Sequence, residues 1–127
     1  VAEGVDTACM RAREYIMEHA ALMRRQGKPL VVEEFGYPRD AMAIEAGSPT
    51  TGRDRFYEYV FALLGDSAGI AGCNFWGWGG YADPAHRTWQ PGDDYTGDPA
   101  QEAQGLNSVF AADSSTVALI HRATANL

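Results

Sequence analysis

Two adjacent carboxylates at the end of an apolar run are the clearest chemical signal in the sequence. Leu30, Val31 and Val32 lead into Glu33 and Glu34, followed by Phe35 and Gly36. A continuous apolar run of this kind fits a buried strand, and Pro29 marks its start. Strict alternation puts Leu30, Val32 and Glu34 on one face and Val31, Glu33 and Phe35 on the other, so only one glutamate would face inward. An ionised carboxylate at that place loses solvation, and it is costly to keep unless it is paired, hydrogen-bonded or used. Pairing with Arg39 or Arg53 is the plain structural account. Proton transfer or nucleophilic attack is the other, and for Glu34 a second stretch favours it.

That stretch is Gly72-Cys73-Asn74-Phe75-Trp76-Gly77-Trp78-Gly79-Gly80. Alternation places Gly72, Asn74 and Trp76 on one face, with Cys73 and Phe75 directed toward helices. An indole at a strand mouth, beside glycines that admit a ligand closely, suits stacking on the apolar face of a sugar ring. Trp76, one strand away from a glutamate at matching depth, is read in that way. Trp78 and Trp89 fit packing and stacking equally, and both are kept as candidate sugar contacts. His86, beside Arg87 in a long loop, is a further candidate, although a solvated loop histidine accounts for it as well.

The elements that must position these groups follow from spacing. Val5, Cys9, Ala12, Ile16, Ala20 and Met23 recur at helical intervals and predict an amphipathic helix over residues 5–26, closed by Gly27. The strand with the glutamates follows. Residues 37–52 then form a loop longer than most connections, expected to border a site. Thr51, with Asp54 three positions on, reads as the cap of a second helix whose face is Phe56, Tyr57, Val60, Phe61 and Leu64 and which ends near residue 67. The second strand covers residues 70–76. A long segment over residues 77–108 precedes a closing helix over residues 115–123, capped by Ser114 or Ser115. Helix and strand alternate, which predicts an α/β fold with parallel strands and right-handed crossovers. Two strands cannot close a barrel or fill a sheet, so the chain is expected to be a fragment or to pair with other copies of itself or with another chain.

Composition excludes several classes. The 127 residues, 46% hydrophobic and 21% charged, describe a globular chain within the size of one domain. A net charge of -7 argues against nucleic acid or an anionic membrane surface as partner. No apolar run reaches the roughly 20 residues that span a bilayer, and no signal peptide opens the sequence, so an exported protein would be represented by a mature form or a piece. Cys9 and Cys73 lack metal-site spacing and read as buried free thiols. Asp93, Asp94 and Asp98 offer hard oxygen ligands but sit in turn composition without the calcium-loop pattern, so no metal or cofactor is expected.

Taken together, Glu34-Phe35-Gly36 after a buried strand, Asn74-Phe75-Trp76-Gly77-Trp78 one helix later, the Gly92-Asp93-Asp94-Tyr95 loop and the segment from Gln104 to Phe110 resemble glycoside hydrolase family 5, most closely its endo-β-1,4-mannanase branch. The resemblance spans about residues 5 to 120. It implies the C-terminal portion of a (β/α)8 TIM barrel, strands seven and eight with flanking helices, with residues 1–127 a fragment of one catalytic domain. It further implies Glu34 as nucleophile and Trp76 as the platform under the sugar being cleaved. The family's acid/base glutamate belongs to an earlier strand that has no counterpart before residue 28, so the chain alone is expected to be inactive. The implied partner is β-mannan or a related polysaccharide, and the implied location is extracellular or periplasmic. A non-catalytic carbohydrate-binding module is the competing reading, but such modules are usually all-β sandwiches. A nucleotide-binding domain would need a Gly-rich phosphate loop, which neither strand has.

Overall fold

A computed structural model describes residues 2–64 and 69–125 of the chain. Helix α1 spans Ala2–Arg25 and buries Val5, Cys9, Ile16 and Ala20 on one face, as their spacing requires. It stops in a Schellman motif: Gly27 takes a φ of 64°, its N–H donates to the Arg24 carbonyl, and the Lys28 N–H donates to the Met23 carbonyl.

Strand β1, Leu30–Phe35, pairs in parallel with β2, Ile70–Phe75, and helix α2, Thr51–Leu64, forms the crossover between them. Phe56, Tyr57, Val60 and Leu63 are the buried apolar face of α2. The end of this helix expected near residue 67 lies outside the described residues. Phe35 joins the two layers, with its ring centroid 4.9 Å from that of Tyr57 and 5.7 Å from that of Phe61. Burying such a side chain contributes about 1.5–3 kcal/mol, so this aromatic cluster is a main fastener of sheet to helix. Arg55 of α2 and Asp6 of α1 add an exposed ion pair across the helix surface.

Strict alternation fails in β1. Leu30 and Val32 pack against the helices, and so does Phe35, three residues further on. The register with β2 is irregular between Val32 and Phe35, which shifts the strand by one position and leaves both Glu33 and Glu34 exposed. Glu34 therefore does not share the face of Leu30 and Val32. Val31, 51% exposed, lies on the open side, so β1 is covered on one face only. In β2 Cys73 and Phe75 face the core and Asn74 is exposed, as expected, but Ile70 also packs on the core, at the end where the register slips between Leu30 and Val31.

The segment expected to be a long loop also contains strand. Trp78–Gly80 forms β3, which pairs in parallel with β4, Val109–Phe110. Gly79 is required there, because a Cβ would lie 2.6 Å from the Phe110 ring. Helix α3, Ser114–Thr124, closes the described chain with Asp113 at its cap position, one residue before the serines expected to cap it. Thr51 likewise is the first residue of α2 instead of its cap. The free N–H groups of Thr51 and Gly52 donate to the Asp40 carboxylate, contributed by a short 3-10 turn over Asp40–Met42. Burial raises the Asp40 pKa, but these bonds outweigh it and hold the carboxyl below its ordinary value.

Candidate active site

The irregular end of β1 and the end of β2 meet in a recess of ≈ 250 Å³ lined by Glu34, Phe35, Gly36, Trp76 and Asn107. The two strands are held together at this level by the Trp76 N–H donating to the Phe35 carbonyl at 2.7 Å. A Cβ on Gly36 would lie 3.0 Å from the Trp76 carbonyl oxygen, so the glycine lets the chains approach there. The peptide between Trp76 and Gly77 is cis. From behind, the Tyr57 hydroxyl donates to the Trp76 carbonyl at 3.3 Å, and burial pushes the Tyr57 phenol above its usual range.

Glu34 has no ion pair and no side-chain hydrogen bond among the described residues. The plain account, in which Arg39 or Arg53 neutralises a strand-end glutamate, is replaced by a different one. Arg39 is fully buried and uses all its N–H groups: Nε on Gly105 O, Nη1 on Ser48 O and Asp113 Oδ1, and Nη2 on Ser108 O and Asp113 Oδ2. Arg53, also buried, donates to the carbonyls of Tyr37, Leu106 and Ser108. Desolvation lowers the Arg53 pKa first, with the nearby Arg39 charge adding to it. For Asp113, desolvation raises the pKa, but the Arg39 hydrogen bond and the Phe110 N–H outweigh it, leaving the carboxyl below its ordinary value.

Asp98 organises the same segment from the other side. It accepts from the N–H groups of Gly105, Asn107 and Ser108 and from the Ser108 hydroxyl at 2.5 Å. This aspartate, one of three with possible calcium-ligand chemistry in the sequence, spends both oxygens on the loop. Of the other two, Asp94 accepts from the Asp83 N–H. Asp93 accepts from the Gln90 N–H and bonds His86 Nδ1 at 3.0 Å. Desolvation raises the Asp93 pKa, but the His86 and Gln90 bonds together outweigh it and hold the carboxyl below its usual value. Among the described residues no three His, Cys, Asp or Glu side chains converge as a metal site would need.

The recess thus joins Glu34 to Trp76, while the other candidates lie elsewhere. His86 is half exposed and bound to Asp93. Trp78 is 55% exposed on β3. Trp89 stacks on Tyr95 with ring centroids 5.6 Å apart, and its buried indole N–H has no partner among the described residues. Cys9 and Cys73 are free thiols, as expected, with Cys73 only half-buried, and burial raises both pKa values. Asn107 was not singled out from sequence. Its signal there was the Gln104-to-Phe110 segment, which carries the resemblance but no recognisable spacing of its own.

Parallel strands joined through a helix define an α/β protein, and the acid and the indole stand at the C-terminal ends of the strands, the end at which such folds carry their sites. The family follows from comparison. All of residues 1–127 match the family model described as GH family 5 beta-mannosidase-like, and the chain belongs to that family. The glycoside hydrolase family 5 mannosidase of Rhizomucor miehei superposes over 100% of the chain with a TM-score of 0.87 at 28% identity, and 33% of that enzyme is covered. A glutamate-to-alanine mutant of that mannosidase in complex with mannosyl-fructose superposes over 94% of the chain and 32% of its own, with a TM-score of 0.81 at 24% identity. The endo-beta-1,4-mannanase of Thermotoga petrophila matches over 87% of the chain and 20% of its own, with a TM-score of 0.56 at 24% identity. No curated protein matches the chain. The chain spans about one third of the length of the Rhizomucor structures, and its fold is part of a (β/α)8 barrel.

Proposed function

We propose that the complete protein is a retaining glycoside hydrolase acting on β-mannosides, with Glu34 as nucleophile and Trp76 as the platform beneath the sugar. The observation that supports this reading is the shared recess, in which an unpaired carboxylate and an indole stand at the ends of adjoining strands. Glu34 attacks the anomeric carbon from one face and forms a glycosyl ester. A second carboxylic acid, about 5–5.5 Å away, protonates the departing oxygen and then activates the water that releases the sugar. That second group comes from barrel strands beyond this chain, so residues 1–127 alone carry half of the chemistry. An extracellular or periplasmic place of work is proposed with this activity, where polymeric mannan, which does not cross a cell membrane, would be met.

Within this reading, removal of terminal mannosyl units is favoured over internal cleavage. The family is described as beta-mannosidase-like and the relative at 28% identity is a mannosidase. Release of free mannose from a mannan oligomer, against release of mixed oligomers, decides between them. For the nucleophile, the complete protein carrying Glu34→Gln should lose activity by about a thousand-fold or more, in the range that removing a catalytic group produces. A 2-fluoro-mannosyl fluoride, which slows breakdown of the ester, should label the peptide containing Glu34. Label on another carboxylate would overturn the assignment.

A further inference from the structure

We infer that Asn107 is a substrate-contacting residue, whose side-chain amide hydrogen-bonds a hydroxyl of the sugar resting on Trp76. The inference rests on the proposed reading of the recess and extends it to the polar group that selects the ring. A hexose lying with one face on an indole still has hydroxyls in its own plane, and each is both donor and acceptor. Apart from Glu34 and the indole N–H of Trp76, which can only donate, Asn107 carries the one polar side chain among the residues that line the recess. Its amide offers one acceptor and two donors without charge. It therefore meets a hydroxyl in either sense and leaves the charge of Glu34 unneutralised. Among the described residues the amide has no protein partner.

The backbone carrying Asn107 is held unusually firmly. Its own N–H donates to Asp98 at 3.1 Å, and the neighbouring Gly105 and Ser108 N–H groups donate to the same carboxylate. On the opposite side the carbonyls of Gly105, Leu106 and Ser108 accept from the two buried arginines. All of these contacts go to main chain or to other side chains. The Asn107 amide is left free on a fixed stalk, the arrangement a preorganised ligand contact requires. Because the bracing uses the Asn107 N–H, replacing the side chain leaves it intact.

The test uses the complete protein, wild type and Asn107→Ala, with β-mannosides lacking one ring hydroxyl at a time. Asn107→Ala should lower kcat/KM on the full mannoside by about ten-fold, the size of one neutral hydrogen bond. The monodeoxy substrate missing the contacted hydroxyl should be hydrolysed equally by both proteins, whereas the other deoxy substrates should keep the ten-fold gap. A midpoint of unfolding unchanged from wild type is expected alongside. Equal loss on every deoxy substrate, or kcat/KM within two-fold of wild type on the parent, would overturn the inference. Either result leaves Glu34 standing, whereas full activity of Glu34→Gln would remove the reading beneath it.

Discussion

Asp113 is the most demanding side chain in the described structure, and its removal has a calculable consequence. Both oxygens accept from Arg39, at 2.7 and 2.5 Å, one also accepts from the Phe110 N–H at 2.8 Å, and Arg53 lies 3.6 Å away. The side chains of all three charged residues are fully buried. Asp113→Ala therefore strips Arg39 of its paired carboxylate in the interior and leaves Arg53 with Asp98 as its nearby carboxylate, and breaking a buried pair in this way costs about 3–5 kcal/mol. Against a typical total of about 5–15 kcal/mol that is a large share. The carbonyls of Gly105, Ser108 and Ser48 still hold Arg39, which puts the lower end of the range nearer. The assay is denaturant unfolding of the complete protein followed by tryptophan fluorescence, comparing Asp113→Ala, Arg39→Met and the double variant. The double variant should be less damaged than the sum of the singles, because it removes the stranded charge together with its partner. A loss below about 1 kcal/mol for Asp113→Ala would refute the reasoning, since exposed pairs behave that way.

Acid should weaken the fold through the same groups. Asp113 and Asp40 have folded pKa values below their ordinary ones, so the stability they contribute is present above about pH 4 and is lost as pH falls through the depressed values. Tyr57 is raised instead, so its contribution is complete below about pH 10 and disappears above it, and unfolding midpoints measured across pH should decline at both ends. Gly97→Ala should destabilise strongly, because its Cβ would lie 2.5 Å from the Gly77 carbonyl oxygen, which is main chain and cannot rotate away. A thermal midpoint within a degree of wild type would show that the loop at Gly97 and the link between β2 and β3 at Gly77 separate freely.

Periodic features were readable from sequence. The spacing of Val5, Cys9, Ile16 and Ala20 gives the buried face of α1, and Gly27 gives its end, because both follow from local geometry. The α/β order and the parallel pairing were readable for the same reason. Glu34 and Trp76 were paired by alternation and matching depth, with the family resemblance beside it, and the recess brings them together. The route was partly wrong, however: alternation presumes an unbroken strand, and the slip between Val32 and Phe35 leaves no mark in hydrophobic period. Strands of three and two residues, β3 and β4, are too short to show a period at all. The Arg39–Asp113 pair joins residues 74 positions apart, and charges that find each other at that range carry no spacing rule.

The segment over residues 81–95 is held largely by its own contacts, with Asp83 on Asp94, His86 on Asp93 and Trp89 on Tyr95. The stalk beneath Asn107, by contrast, is tied to Asp98, Arg39 and Arg53. The outer lobe can thus change in sequence while the bracing of residues 105–108 by Asp98, Arg39 and Arg53 stays as it is.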